Sequence, residues 1–404
     1  MRLNFFKGKD DIFKGICIVQ IMLMVDAVFM VFGLETSQIL SLVRYCLYFF
    51  GVLWMLKGIV KNHAKRPVLY ILFLFWVTYL LLSALPELTN PFQNYVRFKM
   101  FISGVLFIYI LPFLICADLP VSFFKSIFKL SSYMIVAYIF LSIPLYISDA
   151  TFQTTGLSEY VTFLIEGSVV MLMTFSYQKK KTNVINVLAI VIAIIVMMLL
   201  ARRNKVVFYG GGLGLAIILN VFNGYLSTRK KVIVVFLTFI AFVFLLYSGD
   251  TFDAFFNKME TGMSSRERVI DDFYADFNRT PNDWIFGRGL FGEFDAGVLN
   301  NENTGLRDAI ENGYLQLILK GGWIWLGLLI LISINSIYKG LFKSNNVFVK
   351  GCACFILLYF LDMIGFGVPV ASLKYTMVFL SISVCTSPRW RSYTDEELKQ
   401  QLAI

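Results

Sequence analysis

Apolar residues fall in long runs, broken by short polar stretches. The runs lie at about 12–32, 37–58, 67–85, 100–117, 121–147, 161–177, 183–200, 206–222, 232–248, 311–336, 347–366 and 371–387. Most approach the roughly 20 residues that cross a bilayer. Backbone amides in hydrocarbon must be satisfied within their own segment, so each run is expected to be a helix. One connection is long. About 249–310 is polar and carries turn signals such as Thr280-Pro281-Asn282-Asp283. The pattern predicts an all-α, polytopic membrane protein of about twelve spans, divided into nine spans over 1–248, a large loop over 249–310, three spans over 311–388 and a tail over 389–404. In the tail, Thr394-Asp395-Glu396-Glu397 ahead of Lys399 predicts a short capped helix in water. No internal repeat and no low-complexity linker interrupts this order.

Composition agrees. Of 404 residues, 58% are hydrophobic and 15% charged, and mean hydropathy is +0.72. A soluble domain cannot hide that much apolar surface. Aromatics make up 17%, which suits lipid contact and the membrane interface. Cys17, Cys46, Cys116, Cys352, Cys354 and Cys385 all fall in apolar runs and read as small core residues rather than a disulfide frame. The one histidine, His63, sits in a short basic loop as a solvated residue, so histidine chemistry is nearly excluded. The first run is long enough to span and lacks a small-residue cleavage site, so no cleaved signal peptide is expected.

Charge gives an orientation. With both termini cytoplasmic, roughly twice as many basic residues fall inside as outside, as the positive-inside rule requires. The large loop is then outside. The outer basic residues are mostly arginines: Arg97, Arg202, Arg203, Arg266, Arg268, Arg279, Arg288 and Arg307, with Lys99, Lys205 and Lys258. They work against the topology signal, and arginine's planar fork suits phosphate oxygens.

Three clusters carry candidate chemistry. Arg202-Arg203-Asn204-Lys205 is a tight outward turn whose three cations repel one another unless an anion such as a diphosphate sits among them; the bland alternative is a turn gripping lipid headgroups. Gly210-Gly211-Gly212 and Gly214 follow and suit close helix packing. Ser264-Ser265-Arg266-Glu267-Arg268 predicts a helix start capped by serine, with both arginines in its first turns. Glu311-Asn312-Gly313-Tyr314 stands at the border of the loop and the tenth span, where a carboxylate can act as a general base or simply favour a helix start. Asp308 can serve instead. Asp26, Arg44, Glu166, Asp362 and Lys374 map to the outer half of the spans, with Lys320 deeper. Such charges face interior cavities or pair with one another, for instance Asp26 with Arg44. No Asp-x-Asp or Cys/His site is present, so neither a metal nor another cofactor is expected.

In order, these pieces resemble the bacterial O-antigen polymerase (Wzy) and O-antigen ligase superfamily of membrane glycosyltransferases. The resemblance covers about residues 195–335. It rests on Ser265-Arg266, on Pro281 followed by Gly287-Arg288-Gly289-Leu290-Phe291-Gly292-Glu293-Phe294, on Glu311-Asn312-Gly313-Tyr314-Leu315 followed by Gly321-Gly322, and on Arg203 with Arg202 beside it. The ligase branch has a histidine where this chain has Glu311, which favours a polymerase.

The resemblance implies a GT-C-like fold in a bacterial inner membrane, with the active site facing the periplasm. It implies metal-independent polymerisation of undecaprenyl-diphosphate-linked oligosaccharides, donor and acceptor alike, into an O-antigen or capsule. Arg203 and Arg266 would hold the diphosphate and Glu311 would take the acceptor proton. Arg202, Arg268, Lys205, Arg288, Asn312 and Tyr314 would bind diphosphate or glycan. Membrane lipids and a chain-length regulator protein are further expected partners, and nucleic acid is not. A ligase passing glycan to another acceptor is the alternative enzyme. A lipid-linked oligosaccharide flippase is the alternative outside catalysis, disfavoured by the lack of a repeat.

Overall fold

A computed structural model describes residues 10–32, 38–89, 95–147, 157–199, 202–222, 267–297, 305–365 and 368–402. The described chain is mainly helical. In order it contains α1 (Asp11–Val31), α2 (Gln38–Lys61), α3 (Val68–Ser83), α4 (Leu85–Leu88), α5 (Tyr95–Met100), α6 (Leu106–Ile110), α7 (Val121–Ile147), α8 (Leu157–Glu166), α9 (Val169–Met173), α10 (Lys180–Leu199) and α11 (Arg203–Phe222). A helix over 267–277, here α12, follows. Then come α13 (Pro281–Phe286), β1 (Phe294–Asp295), β2 (Leu306–Arg307), α14 (Gly313–Phe342), α15 (Val347–Gly365), α16 (Leu373–Thr386), α17 (Pro388–Ser392) and α18 (Asp395–Leu402).

Among the described residues, eight helical segments are long and apolar enough to cross a membrane: Asp11–Phe29, Leu40–Lys61, Val68–Leu88, Tyr95–Cys116, Val121–Ser142, Lys180–Met198, Gly313–Phe342 and Val347–Gly365. Val161–Met173 and Leu373–Thr386 are shorter apolar helices. The chain is thus a polytopic helical membrane protein. The run expected at 232–248 lies outside the described residues.

Among the described residues, three of the expected spans are not uniform helices, one of them Gly313–Phe342, which is interrupted at Gly322. Tyr95–Cys116 passes from α5 through a π-turn (Phe101–Val105) and α6 into a 3-10 turn (Leu111–Cys116) that contains Pro112. Proline lacks the N–H that a continuing α-helix needs. The run expected at 161–177 breaks after Glu166. α9 resumes at Val169, and a short 3-10 turn (Phe175–Tyr177) closes it.

The chain divides into two compact units. One comprises Met1–Ile190, Gly327–Ile356 and Pro369–Ile404; the other comprises Val191–Leu326 and Leu357–Val368. In the first, α1 and α2 cross on small residues: a Cβ on Gly15 would lie 2.3 Å from the Gly51 carbonyl oxygen, and one on Gly58 2.5 Å from the Ile12 nitrogen. Close backbone approach of this kind is how helices associate where no hydrophobic effect separates them from lipid. Asp26 accepts from Arg44 at 2.7 Å and from Tyr48 at 3.1 Å, the pairing expected from the sequence. α16 is buried along its whole length. At its first turn Lys374 lies 3.3 Å from Glu166, both side chains buried. The intervening Gly167 leaves no room for a Cβ, which would meet Leu373 Cγ at 2.5 Å.

The tail folds as expected in one respect and differs in another. Thr394 and Glu397 cap each other reciprocally: the Thr394 N–H donates to Glu397 Oε2 at 2.8 Å and the Glu397 N–H to Thr394 Oγ1 at 3.3 Å. However, Leu398 and Leu402 are buried, so α18 packs on the bundle rather than standing in water. Asp395 ties it down, accepting from the Tyr177 hydroxyl and from the Val347 N–H. The six cysteines are all free and four are buried.

Candidate functional site

Two of the sequence clusters meet at the carboxyl end of α15. A helix ends with carbonyls that have no partner in the next turn. Here two asparagines supply donors to consecutive carbonyls. Asn204 Nδ2 donates to Gly365 O at 2.8 Å and Asn312 Nδ2 to Ile364 O at 3.2 Å. Asn204 lies in the first turn of α11, inside the Arg202-Arg203-Asn204-Lys205 turn. Asn312 directly follows Glu311. Gly365 is what admits Asn204, since a Cβ there would sit 2.3 Å from Asn204 Oδ1.

Each helix start is built locally. The Arg202 carbonyl accepts from the Lys205 and Val206 N–H groups at 3.1 and 3.2 Å, opening α11. At α14, Asn312 Oδ1 accepts from the N–H groups of Tyr314 and Leu315 at 3.0 and 3.1 Å. This is the N-cap role that asparagine fills well. One amide thus caps α14 and fastens it to α15. The Tyr314 hydroxyl adds a second fastening, donating to Phe360 O at 2.8 Å. Upstream, Gln316 holds the approach, accepting from the Ile310 N–H at 2.9 Å and donating to Asp308 O at 3.3 Å. Glu311 is therefore carried between two fixed residues, with its side chain exposed. Asp308 is exposed as well. Lys205 and Asp362, of opposite charge, are buried near this helix end.

The large loop docks on a break in α14. Gly322 has φ 67° and ψ −174°, so Gly313–Phe342 is two helices joined at a kink. A break in a helix frees carbonyls, and the loop satisfies them: the Arg288 N–H donates to Leu319 O at 2.8 Å and the Gly289 N–H to Lys320 O at 3.1 Å. The Lys320 ammonium answers by donating to Gly292 O at 2.9 Å. The backbones approach so closely that a Cβ on Gly287 would lie 2.5 Å from the Gly321 nitrogen, and one on Gly322 only 2.0 Å from the Ile285 oxygen. The Gly-x-Gly segment and the Gly321-Gly322 pair are thus two halves of one contact. Lys320, which the sequence places deep in a span, lies before the break and serves this contact.

Within the loop, Thr280-Pro281 begins α13, with proline in its first turn, rather than a simple turn. Arg288 organises the rest. Its Nε donates to Asp283 at 2.7 Å, Nη1 to Asp276 at 2.5 Å and to Glu293 O at 2.8 Å, and Nη2 to Thr280 Oγ1 at 3.2 Å. The guanidinium also lies 4.6 Å from the centre of the Phe277 ring. Four of its five N–H donors are used inside the loop, so Arg288 holds the loop together instead of offering a fork to a ligand. Partial burial pushes the Asp276 carboxyl up, but the Arg288 hydrogen bond, the Asp295 N–H and the charges of Arg288 and Arg279 outweigh it and hold the group below the usual range. β1 and β2 pair antiparallel beside it, Phe294 opposite Arg307.

The predicted site residues therefore sort unequally. Arg202, Lys205, Glu311 and Asn312 come to one helix end. The backbone of Arg203 opens α11 there. Arg268 is exposed on α12. Arg266 lies outside the described residues, as does the position of the Arg203 side chain. Asn312 and Tyr314 are engaged in fastening α14 to α15. Residue type does not mark Asn204 and Gly365 for this role; the only sequence signal for a helix end there is the punctuation Gly365-Phe366-Gly367-Val368-Pro369. Among the described residues no group of His, Cys, Asp or Glu could hold a metal ion. No family model, curated protein or solved structure matches the chain.

Proposed function

We propose that the protein is a membrane glycosyltransferase that polymerises oligosaccharide repeats carried on undecaprenyl diphosphate, at the outer face of a bacterial inner membrane and without a metal. The observation that supports this reading most is the meeting of the basic turn and Glu311 at the end of α15, secured by Asn204 and Asn312. A basic turn and a solvent-facing carboxylate whose neighbouring asparagines bind consecutive carbonyls of one helix end are the two kinds of group that transfer from a lipid diphosphate requires.

In this reading Arg203 and Arg202, with Arg266 and Arg268 from the loop, neutralise the diphosphate as it leaves. The amino end of α11 adds its partial positive charge. Glu311 accepts the proton of the acceptor hydroxyl, whose oxygen attacks the anomeric carbon while the bond from that carbon to the diphosphate oxygen breaks. A single displacement inverts the anomeric configuration. Lys205 is buried and counts as support for the turn rather than as a direct ligand. Arg288, Asn312 and Tyr314 position the loop and helices.

The test is the length distribution of the surface polysaccharide in cells expressing Arg203→Ala, Arg266→Ala or Glu311→Gln at normal levels. Collapse of the ladder to single attached repeats is expected for each. Full-length polymer from all three refutes the site. Deletion that leaves no glycan attached at all identifies a ligase instead.

A further inference from the structure

The break at Gly322 divides α14 into two helices. The segment after Gly322 is 323–342, roughly 20 residues and about 30 Å long, enough by itself to cross the hydrocarbon core. Its first residue is Trp323, whose surface is 53% exposed. Trp323 stacks on Trp284, with ring centres 6.5 Å apart and planes at 21°. Trp284 stacks in turn on Tyr274, at 5.5 Å and 30°. Asn278 fixes the middle ring by accepting from the indole N–H at 3.2 Å. Beside Trp284, Ile285 and Phe286 are exposed, and Tyr274 is 43% exposed.

The inner face of Trp284 packs edge-on against Phe273 and Phe277, with ring centres 5.8 and 5.3 Å away. Phe273, Phe277 and Phe294 are fully buried and form the loop's own core. The loop has therefore filled its core and still presents Tyr274, Ile285 and Phe286 exposed, beside exposed Trp323 of α14 and with Trp284 half-buried among them. A surface facing water does not accumulate such a set without a use for it. Trp and Tyr concentrate where hydrocarbon gives way to headgroups, because their rings are apolar and their tips polar. This set begins at the residue where a bilayer-length helix begins.

We infer that Tyr274, Trp284, Ile285, Phe286 and Trp323 form an interfacial anchor that seats α12 and α13 in the headgroup layer of the bilayer. The occupant of this face is lipid. The anchor fixes the depth of the loop, so the contact of Arg288, Gly289 and Lys320 across the helix break lies at headgroup level, outside the hydrocarbon. The inference does not depend on the proposed reaction.

The test uses the full-length protein in lipid nanodiscs whose phosphatidylcholine carries bromine either near the headgroup end of the acyl chains or near their far end. The readout is the part of tryptophan emission lost on Trp323→Phe, and separately on Trp284→Phe, both conservative changes. The Trp323 emission is expected to be quenched more by shallow bromine than by deep bromine, and to be shielded from acrylamide in the water. Replacing Ile285 and Phe286 by serine is expected to weaken the shallow quenching while the fold persists, as judged by circular dichroism. Three results overturn the inference: no quenching by either lipid, stronger quenching by deep bromine, or free access of acrylamide that a soluble oligosaccharide blocks. The last would make the stacked rings a carbohydrate platform.

Discussion

Replacing Gly322 by alanine tests how the loop is held. The residue sits at φ 67° and ψ −174°, a region nearly closed to other residues, at a cost of about 1–3 kcal/mol. The new Cβ would also lie 2.0 Å from the Ile285 oxygen and 2.3 Å from its carbonyl carbon, both backbone atoms that cannot rotate away. Relief requires the loop to lift. That stretches the two N–H···O bonds from Arg288 and Gly289, worth about 0.5–1.5 kcal/mol each, and the charged bond from Lys320, worth about 1.5–3 kcal/mol. Undocking should become easier by about 4 kcal/mol or more, raising the open fraction roughly a thousandfold. Amide hydrogen exchange over 285–292, followed by mass spectrometry, reads this directly. Gly289→Ala is the control, because its Cβ meets nothing within 4 Å and only its φ of 81° is penalised, at about 1–2 kcal/mol. Wild-type protection in Gly322→Ala, or equal loss in both variants, would refute the account of the contact.

Further consequences follow from the same geometry. Arg288→Ala leaves Asp276 and Asp283 without their cation and should cost the loop about 2–4 kcal/mol, seen as faster exchange over 276–295; Arg288→Lys should restore only part of it, because lysine cannot reproduce the fork. Asp276 has its carboxyl held below the unfolded value of about 3.9. Its contribution is therefore complete above about pH 4 and fades as pH falls through the lower folded value, so loop exchange should rise on acidification in that window and not between pH 5 and 8. Asn312→Ala removes a cap and a cross-link and should cost about 1–2 kcal/mol, measured as Tm in detergent, whereas Asn312→Asp keeps the cap and should cost less. Glu166→Gln or Lys374→Met alone should destabilise by about 3–5 kcal/mol, while the double change should be milder than either, since it leaves no unpaired buried charge.

The spans were legible because hydrocarbon demands length, and runs such as 121–147 and 347–366 reproduce α7 and α15 to within a residue. The breaks were not legible in the same way. Hydropathy stays high across Gly167 and Gly322, yet both mark helix interruptions, because what decides them is a partner distant in sequence: Leu373 against one, Ile285 against the other. The role of Arg288 was hidden for the same reason, since its carboxylates lie 5 and 12 residues upstream. By contrast, the Thr394/Glu397 capping pair was readable, because its spacing is local. The basic turn and Glu311 each stood out by residue type. Their common seat on α15 depends on Asn204 and Asn312, two uncharged residues whose value appears only once the end of that helix is placed.

The most direct test of the central claim is reconstitution. The purified protein is placed in nanodiscs with an undecaprenyl-diphosphate-linked oligosaccharide repeat and a chelator of divalent metals, and the products are separated by size. The account predicts new glycosidic bonds, a ladder of multiples of the repeat and release of undecaprenyl diphosphate, all lost in Glu311→Gln and Arg203→Ala. Movement of the lipid-linked repeat across a bilayer with no new bond formed would contradict it.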